Sequence, residues 1–343
     1  MQKVWARQSD IAKEADVSLA TVDRCLNKRA GVSIHTSKRV WDAVEKLQSG
    51  GAEDPSISSD SITLDVILPG GTNSFLNMLA EEVALAGENY RKDGITVRCH
   101  RIEGFSPQIL ADCISDVSKS SNGIAVMALE NPLVREAVNN ACNSGLPVVT
   151  LVSNLSAQTI LGYVGLNNRA AGRTAAYLVN LFSRTHTGKV ALFEGSLHLA
   201  YSDHQEREFG FIDALREYAP EMSIVGKWAT QDNHEEAYQK TIVLLQGTPD
   251  LSAIYCIGGG IRGICRALKE KGRDKDIICI GHDLTHHTRE FLLDGTLNAI
   301  INQDTKAEAN AALKLLVDYH RKNEVKATQV HIKSEIYFRE NLP

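Results

Sequence analysis

Hydrophobic and polar positions follow two different patterns along the chain, one in residues 1–47 and one from residue 62 onward. Within residues 1–47, apolar side chains recur at helical spacing in three short stretches. From Ile62 onward, short β-branched or apolar runs alternate with amphipathic stretches of helical length. This alternation is typical of an α/β fold in which helices cover parallel sheets on both faces.

The apolar runs predict two successive sets of strands. The first set covers residues 62–68, 95–99, 123–129, 147–151 and 161–164, and the second covers 189–193, 224–228, 253–257, 277–280 and 297–301. Between them the pattern predicts helices that include 75–92, 132–144, 169–183, 205–218 and 305–320. Two similar lobes in tandem fit this count better than one very large sheet.

The two patterns are separated by residues 48–61, QSGGAEDPSISSDS. It contains two glycines, a proline and five serines, which is the composition of a flexible linker. We therefore expect a three-helix domain at 1–47, a linker at 48–61 and a two-lobed domain at 62–343. The first lobe is expected at about 62–165 plus 303–327, and the second at about 166–302 plus 328–343.

Composition and charge narrow the classes of function. The formal net charge is -5, yet residues 1–47 carry nine Lys/Arg and six Asp/Glu, so only this segment suits a polyanion. No apolar run approaches the ~20 residues that span a bilayer, and the N-terminus lacks the apolar core of a secretion signal. The seven cysteines form no CxxC pair. A cytoplasmic protein with reduced thiols, no membrane association and no metal site is expected.

The segment SDIAKEADVSLATVDRCLNKRAGVS predicts two helices joined by a tight turn. Asp16 occupies the turn, and Ser18 caps the second helix, whose Val22 and Leu26 face the first. The outward positions of the second helix are Leu19, Ala20, Asp23, Arg24 and Asn27. A third helix is predicted at 36–47. Such a small outer face fits the major groove of DNA, although a protein-interaction module of three helices is an open alternative.

The run DIAKEADVSLATVDRCLN resembles the DNA-reading segment of the LacI/GalR family of repressors, whose usual form is DIAxxAGVSxxTVSRVLN. By this resemblance Leu19 and Ala20 specify bases. The full implied DNA-contact set is Ser18, Leu19, Ala20, Thr21, Arg24, Asn27, Ser33 and Thr36. The chain departs from the family at Asp16, which replaces a glycine, and at Asp23, which replaces a serine. The linker lacks the leucine wedge of the family's hinge helix, so we expect a flexible tether there.

The remainder of the chain resembles the periplasmic sugar-binding fold shared by LacI-type regulators and ribose-type transport proteins. The resemblance rests on LPGGTNSF, YVGLNNRAAGRTAAYL, EREFGF, CIGHD and IINQD. It implies a type I two-lobed fold with a ligand between the lobes, at the carboxyl ends of strands. The implied ligand-binding residues are Asn73, Phe75, Asn131, Asn154, Arg207, Cys256, Asp283 and Gln303. Val152, Ser153 and Cys256 depart from the ribose-binder pattern, so a standard sugar pose is not implied.

Two features of the second lobe suggest other chemistry. Gly258, Gly260 and Gly263 satisfy GxGxxG after a predicted strand, with Asp283 downstream, as in an NAD-dependent oxidoreductase. His282 and His286 are spaced as metal ligands on a helix would be, although structural histidines explain the stretch as well. A solute-binding protein is a further alternative, but it would carry a secretion signal and no helix-turn-helix.

The sequence therefore predicts a non-enzymatic repressor without cofactor. Its expected partners are double-stranded operator DNA, a sugar-like small-molecule effector and a second copy of the chain in a homodimer. Binding of the effector is expected to change operator affinity through the angle between the lobes.

Overall fold

The structure is a computed structural model that describes residues 8–26, 36, 39–40, 43, 61–71, 73–103, 106–157, 159–195, 201–322 and 327–343. The chain divides into two compact units, Met1–Asp60 and Ser61–Pro343. Residues 48–60 of the predicted linker and two predicted DNA contacts, Asn27 and Ser33, lie outside the described residues.

The N-terminal unit contains two short helices, α1 (Gln8–Glu14) and α2 (Leu19–Leu26). Asp16 lies in the turn between them with a φ of 49°, the left-handed conformation expected there. The Ser18 Oγ accepts a hydrogen bond from the Thr21 amide, at 3.2 Å, and thereby caps α2. The Arg39 guanidinium donates to the Ala15 carbonyl, at 2.6 Å, and so satisfies one of the carbonyls at the end of α1. The core of this unit consists of Ile11, Ala12, Ala15, Val22, Cys25, Val40 and Ala43.

The second unit is built on two six-stranded sheets. The first has the order β11-β5-β4-β3-β1-β2 and is parallel throughout. Its strands are β1 (Ile62–Pro69), β2 (Ile95–Ile102), β3 (Gly123–Val126), β4 (Val148–Leu151), β5 (Gly162–Leu166) and β11 (Thr328–Ile332). Its helices are α3 (Ser74–Glu88), α4 (Pro107–Val117), α5 (Pro132–Asn143) and α11 (Thr305–Lys322).

The second sheet has the order β12-β10-β9-β8-β6-β7, and only the β10–β12 pair is antiparallel. Its strands are β6 (Gly188–Glu194), β7 (Met222–Ala229), β8 (Leu251–Cys256), β9 (Ile278–His282), β10 (Ala299–Asn302) and β12 (Glu335–Tyr337). Its helices are α6 (Asn168–Phe182), α7 (Ser202–Tyr218), α8 (His234–Gly247), α9 (Ile261–Glu270) and α10 (His286–Leu293). The expected α/β class with two lobes and parallel sheets is confirmed.

The chain crosses between the lobes in a way that corrects one predicted boundary. Residues 328–343 were expected in the second lobe, but β11 pairs with β5 in the first sheet, from Thr328 opposite Gly162 to Ile332 opposite Leu166. Only the last part of the chain, with β12, joins the second sheet. A second correction concerns α3, which was predicted to extend to residue 92 and ends at Glu88.

Two glycines allow α6 and α7 to approach closely. A Cβ at Gly172 would lie 1.9 Å from the Arg207 carbonyl oxygen, and one at Gly210 would lie 2.1 Å from the Arg169 carbonyl oxygen. No side chain fits at such distances, so each helix needs a glycine where the other crosses it. This contact fixes the backbone of α7 at Arg207 and thereby the position of the Arg207 side chain at the edge of the sheet.

Candidate functional site

The first candidate site is the outer face of α2. Leu19 is 55% exposed, and Ala20 and Arg24 are exposed beside it, whereas Val22 and Cys25 face the core of the N-terminal unit. At about 100° per residue, positions 19, 20 and 24 share one side of a helix. The Ser18 and Thr21 hydroxyls lie 2.9 Å apart at the beginning of the helix. Thr36 is helical and half-buried in the next segment. The structure thus brings most of the described candidate DNA contacts onto one short helix and its N-terminus.

The second candidate site is a cleft pocket between the two lobes, at the carboxyl ends of the strands. Among the residues predicted to bind ligand, the pocket is lined by Asn73, Phe75, Arg207, Asp283 and Gln303. Further lining residues include Met127, Val152, Asp203, His204, Asp232 and Gly259. Three of the lining residues have left-handed backbone: Val152 with a φ of 64°, Asp232 with 52° and Asp283 with 68°. For the β-branched Val152 this conformation is strained, and such strain concentrates at functional sites.

Arg207 organises the second-lobe side of the cleft pocket. The side chain is 2% exposed, and its Nε donates to the Asn168 Oδ1 at 2.8 Å. Its Nη1 donates to the Ile257 carbonyl and its Nη2 to the Gln303 Oε1, both at 3.0 Å. Because a guanidinium has five N–H donors, these bonds leave two donors for a ligand. The three partners hold the guanidinium in one orientation.

Gln303 connects Arg207 to Asp283, so the two charged groups are not in direct contact. The Gln303 Nε2 donates to the Asp283 Oδ1 at 2.9 Å, while its Oε1 accepts from Arg207. Burial raises the pKa of Asp283 to about 6, although the Arg207 charge and the Gln303 hydrogen bond act in the opposite direction. An acceptor carboxylate and a donor guanidinium therefore face the pocket together, a pairing that suits hydroxyl groups, which both donate and accept.

Sequence reasoning missed three polar residues of this pocket. Asp203 is 3% exposed, and its Oδ1 has no hydrogen-bond partner among the described residues. His204 follows it on α7, and its Nδ1 is likewise buried and unpartnered there. Asp232 accepts from the Gly259 amide at 2.7 Å and from the Asn73 Nδ2 at 3.2 Å. The four-residue spacing from Asp203 to Arg207, one turn of helix, was the available signal for Asp203.

Three predicted ligand contacts lie elsewhere. The Asn131 Oδ1 accepts from the Leu133 amide at 2.9 Å and caps α5. Cys256 is buried, and its Sγ donates to the Gly258 carbonyl. Asn154 lines a wider groove of about 540 Å³ beside the cleft pocket, where Asp203 also contributes. The side chains of Asn131 and Cys256 are therefore engaged in local structure and do not line the cleft pocket.

The two lobes contact each other on both sides of the cleft pocket. On one side Asn73 donates to Asp232 across the cleft. On the other, the Ser202 Oγ donates to the Asn154 carbonyl at 2.8 Å, and the Ser202 amide donates to the Ser153 Oγ at 3.1 Å. The free volume between them is about 30 Å³. This is a closed arrangement with space for water-sized molecules, so a sugar-sized ligand requires the lobes to separate.

The glycine-rich segment after β8 has a packing role in addition to any binding role. A Cβ at Gly263 would lie 1.9 Å from the His234 carbonyl oxygen, so this glycine permits α9 to pack against the beginning of α8. In the histidine-rich stretch, His282 is buried with its Nε2 2.8 Å from the Tyr255 hydroxyl. Among the described residues, no group of three or more His, Cys, Asp or Glu side chains could hold a metal ion.

Comparisons with known families agree with this division of the chain. Residues 64–324 match the family described as periplasmic binding protein domain, and residues 9–48 match bacterial regulatory proteins of the lacI family. Within the part of the chain that the structure describes, no helix has the length and apolar character needed to cross a membrane.

Two relatives are named as a transcriptional repressor and a catabolite control protein. The repressor PurR of Actinobacillus pleuropneumoniae serotype 3 is 26% identical over 293 residues, 82% of each chain. Catabolite control protein A of Priestia megaterium is 24% identical over 340 residues, 97% of this chain and 98% of the relative. Neither name is that of an enzyme.

Solved structures show the same fold for the second unit. The glucose-galactose binding protein GanP from Geobacillus stearothermophilus superimposes with a TM-score of 0.75, at 20% identity, over 83% of this chain and 100% of its own. A solute-binding protein from Burkholderia graminis in complex with D-arabinose has a TM-score of 0.75 and 22% identity, over 83% of this chain and 98% of its own. The second unit therefore has the type I periplasmic-binding-protein fold.

Proposed function

The chain belongs to the LacI family of bacterial regulatory proteins, with a periplasmic-binding-protein domain as its second unit, and from this premise we propose that it represses transcription by binding operator DNA under the control of a small polar effector. The observation that carries the proposal is the combination, in one chain, of a lacI-type helix with an exposed Leu19, Ala20 and Arg24 and a polar cleft centred on Arg207. The relatives named as repressors support the same conclusion.

On the DNA side, α2 enters the major groove. Leu19 and Ala20 at its N-terminal end contact base edges, and Arg24 in its last turn contacts a guanine or a phosphate. The Ser18 and Thr21 hydroxyls and Thr36 bind phosphate oxygens. Two copies of the chain form a homodimer in the cytoplasm and read the two halves of a near-palindromic operator.

On the effector side, the ligand is a polyhydroxylated compound held between the lobes. Arg207 and Asn73 donate hydrogen bonds to it, Asp283 accepts them, and Phe75 offers an apolar surface to the face of a ring. Gln303 forms a hydrogen bond with each of Arg207 and Asp283 and thereby fixes their relative positions. The effector and the operator each favour one arrangement of the lobes. Each therefore changes the affinity for the other by the same coupling free energy, typically about 1 to 3 kcal/mol.

The experiment that tests this proposal begins with selection of the preferred operator from randomised duplex DNA by the full chain. Affinity for the selected duplex is then measured by fluorescence anisotropy, with and without sugars and sugar derivatives that stabilise the protein in a thermal-shift screen. We expect nanomolar affinity that changes at least severalfold with an effector. Absence of any preferred sequence, or equal affinity for selected and scrambled duplexes, would refute the proposal.

Replacing Arg24 by alanine is expected to cost about 1 to 3 kcal/mol of operator affinity, because a bidentate contact to a base contributes that much discrimination. Anisotropy with the selected duplex, at several salt concentrations, measures the loss. Arg91→Ala is the matched control, since Arg91 is an exposed arginine of the second unit, paired with Glu88. Equal affinities of Arg24→Ala and the unmodified chain would remove Arg24 from the interface.

Exchanging Leu19 and Ala20 for other residue pairs is expected to change the preferred operator sequence more than the maximal affinity. Both side chains are exposed and leave the core of the N-terminal unit untouched, so folding is preserved. Repeating the selection from randomised DNA with each exchanged pair measures the preference. Recovery of the original operator by every variant would contradict the assignment.

A further inference from the structure

A second cavity adjoins the cleft pocket on the second-lobe side. The two cavities share Asn73, Phe75, Asp232, Gly258, Gly259 and Asp283. Beyond these shared residues, the second cavity is lined by His234, Gly260, Ile261, Arg262, His282 and His287, among others. We call it the glycine-loop cavity. A ligand in the cleft pocket can therefore extend directly into it.

The N-terminus of α9 opens into the glycine-loop cavity. Its N-cap is Gly260, with a φ of 109°, and no side chain caps this helix. By contrast, α3, α8 and α10 also begin near this cavity and are capped by Asn73, Asn233 and Thr285. The first amides of a helix have no intrahelical acceptor and, with the helix dipole, favour an anion. A glycine loop that leads into a helix is the usual backbone arrangement around a phosphate.

Arg262 and three histidines line the same cavity. Arg262 is exposed there and forms no salt bridge with any carboxylate in the described ranges. Burial is the main cause of the lowered pKa values of His234 and His287. The charge of the nearby Arg262 is the second cause for both. His282 is 4% exposed, and its Nδ1 has no partner among the described residues. One cation, two histidines that can donate hydrogen bonds and an unpartnered buried nitrogen therefore surround the beginning of α9.

Two carboxylates also face the glycine-loop cavity, and they define where an anion does not bind. Asp232 is engaged by the Gly259 amide and Asn73, and Asp283 by Gln303. Both belong to the side shared with the cleft pocket. The region therefore has an acceptor-rich side that suits ligand hydroxyls and a donor-rich side, at Arg262 and His287, that suits a negative charge.

We propose that the effector is a phosphomonoester of a small polyhydroxylated compound, with its hydroxyls in the cleft pocket and its phosphate at the N-terminus of α9 beside Arg262. This inference rests on the proposed function, because it specifies the ligand of the same cleft. The phosphate accepts hydrogen bonds from the amides of α9 and from Arg262, while His234 and His287 supply further donors. The free volume of the glycine-loop cavity is about 40 Å³, so the lobes must separate to admit such a compound.

The test compares matched pairs of compounds on the full chain by thermal shift and isothermal titration calorimetry. The pairs are ribose and ribose 5-phosphate, glucose and glucose 6-phosphate, and fructose and fructose 6-phosphate, with glucuronate as a carboxylate and inorganic phosphate alone as further probes. We expect at least one phosphorylated compound to bind roughly tenfold or more tightly than its parent sugar, as charge-assisted hydrogen bonds predict. Glucuronate and inorganic phosphate are expected to bind more weakly than that ester.

Variants of α9 locate the phosphate. Arg262→Gln is expected to remove most of the difference between ester and parent sugar, and Arg262→Lys to retain part of it. Arg266→Gln is the matched control, because Arg266 lies one turn later on the same helix and pairs with Glu235. It is expected to bind the ester as the unmodified chain does.

Three outcomes overturn the inference: equal affinity for every ester and its parent sugar, binding of no ester, or an unchanged ester preference in Arg262→Gln. Operator affinity of the same preparations separates this failure from failure of the proposed function. If an unphosphorylated sugar binds and changes operator affinity, the proposed regulatory function is supported and the phosphate site is refuted. If no operator is selected, the proposed function is refuted, whichever compound binds.

Discussion

Replacing Arg207 by methionine is expected to abolish effector binding and to lower the free energy of unfolding by about 3 to 5 kcal/mol. The substitution keeps an unbranched side chain but leaves the Asn168 Oδ1, the Ile257 carbonyl and the Gln303 Oε1 without their donor. Unfolding in urea measures the stability, and calorimetry with the tightest compound of the screen measures binding. The loss of affinity is expected to exceed a hundredfold, because the ligand loses its charged donors while Gln303 loses its anchor.

The stability loss of Arg207→Met has an electrostatic part. The Arg207 charge lowers the pKa of Asp283 and of the fully buried Glu308, although burial is the larger cause and raises both. Without this charge both carboxyl groups bind protons more tightly in the folded protein. A folded-state pKa raised further above the unfolded value means a larger loss of stability as pH rises through that range. The variant is therefore expected to be less destabilised at pH 5 than at pH 8.

Arg216→Met is the control, because Arg216 lies on the same helix and is exposed. Its free energy of unfolding is expected to remain within about 0.5 kcal/mol of the unmodified chain, as for surface substitutions in general. Arg207→Lys should recover the charge but not the three fixed hydrogen bonds. Ligand affinity in Arg207→Met equal to that of Arg216→Met would place the effector elsewhere.

The strands of the two central sheets could be predicted because buried parallel strands are almost continuous apolar runs. Every residue of β3 (Gly123–Val126) and β4 (Val148–Leu151) is buried, and both were expected at these places. The edge strands β11 and β12 have no such run. Their residues are half-buried or exposed, so the sequence pattern gives no sign of them. The assignment of residues 328–332 to the second lobe was wrong for this reason.

The site was predictable where a side chain belongs to a familiar sequence pattern and not where its role depends on local backbone. Resemblance pointed to Arg207, Asp283 and Gln303, all of which line the cleft pocket. The sequence around Asn131 also fits a second interpretation, because an asparagine followed by a proline at the start of a helix is a capping pattern. In the structure Asn131 is the N-cap of α5. Asp232 reaches the pocket through a left-handed turn that periodicity does not reveal.

Replacing Asp283 by asparagine is expected to weaken effector binding roughly tenfold or more while stabilising the protein without ligand at alkaline pH. Asparagine keeps an oxygen that accepts from Gln303 and tolerates the left-handed backbone at this position. It removes a charge whose burial raises the pKa of Asp283 to about 6, from an ordinary value of 3.8. The ligand in turn loses a charged acceptor, so binding and stability change in opposite directions.

The sign of the stability change follows from proton binding. Between pH 3.8 and about 6 the folded protein holds a proton on Asp283 that the unfolded chain has lost, so stability falls as pH rises through this window and stays reduced above it. Asp283→Asn avoids that loss. The variant should exceed the unmodified chain by about 1 to 3 kcal/mol at pH 8, with the difference vanishing near pH 4. Glu194, whose burial raises its pKa to about 7, titrates in both proteins and cancels in the comparison. Urea unfolding at pH 4, 6 and 8 measures the difference. If the variant is equally stable or less stable than the unmodified chain at pH 8, the buried charge of Asp283 does not lower the free energy of unfolding.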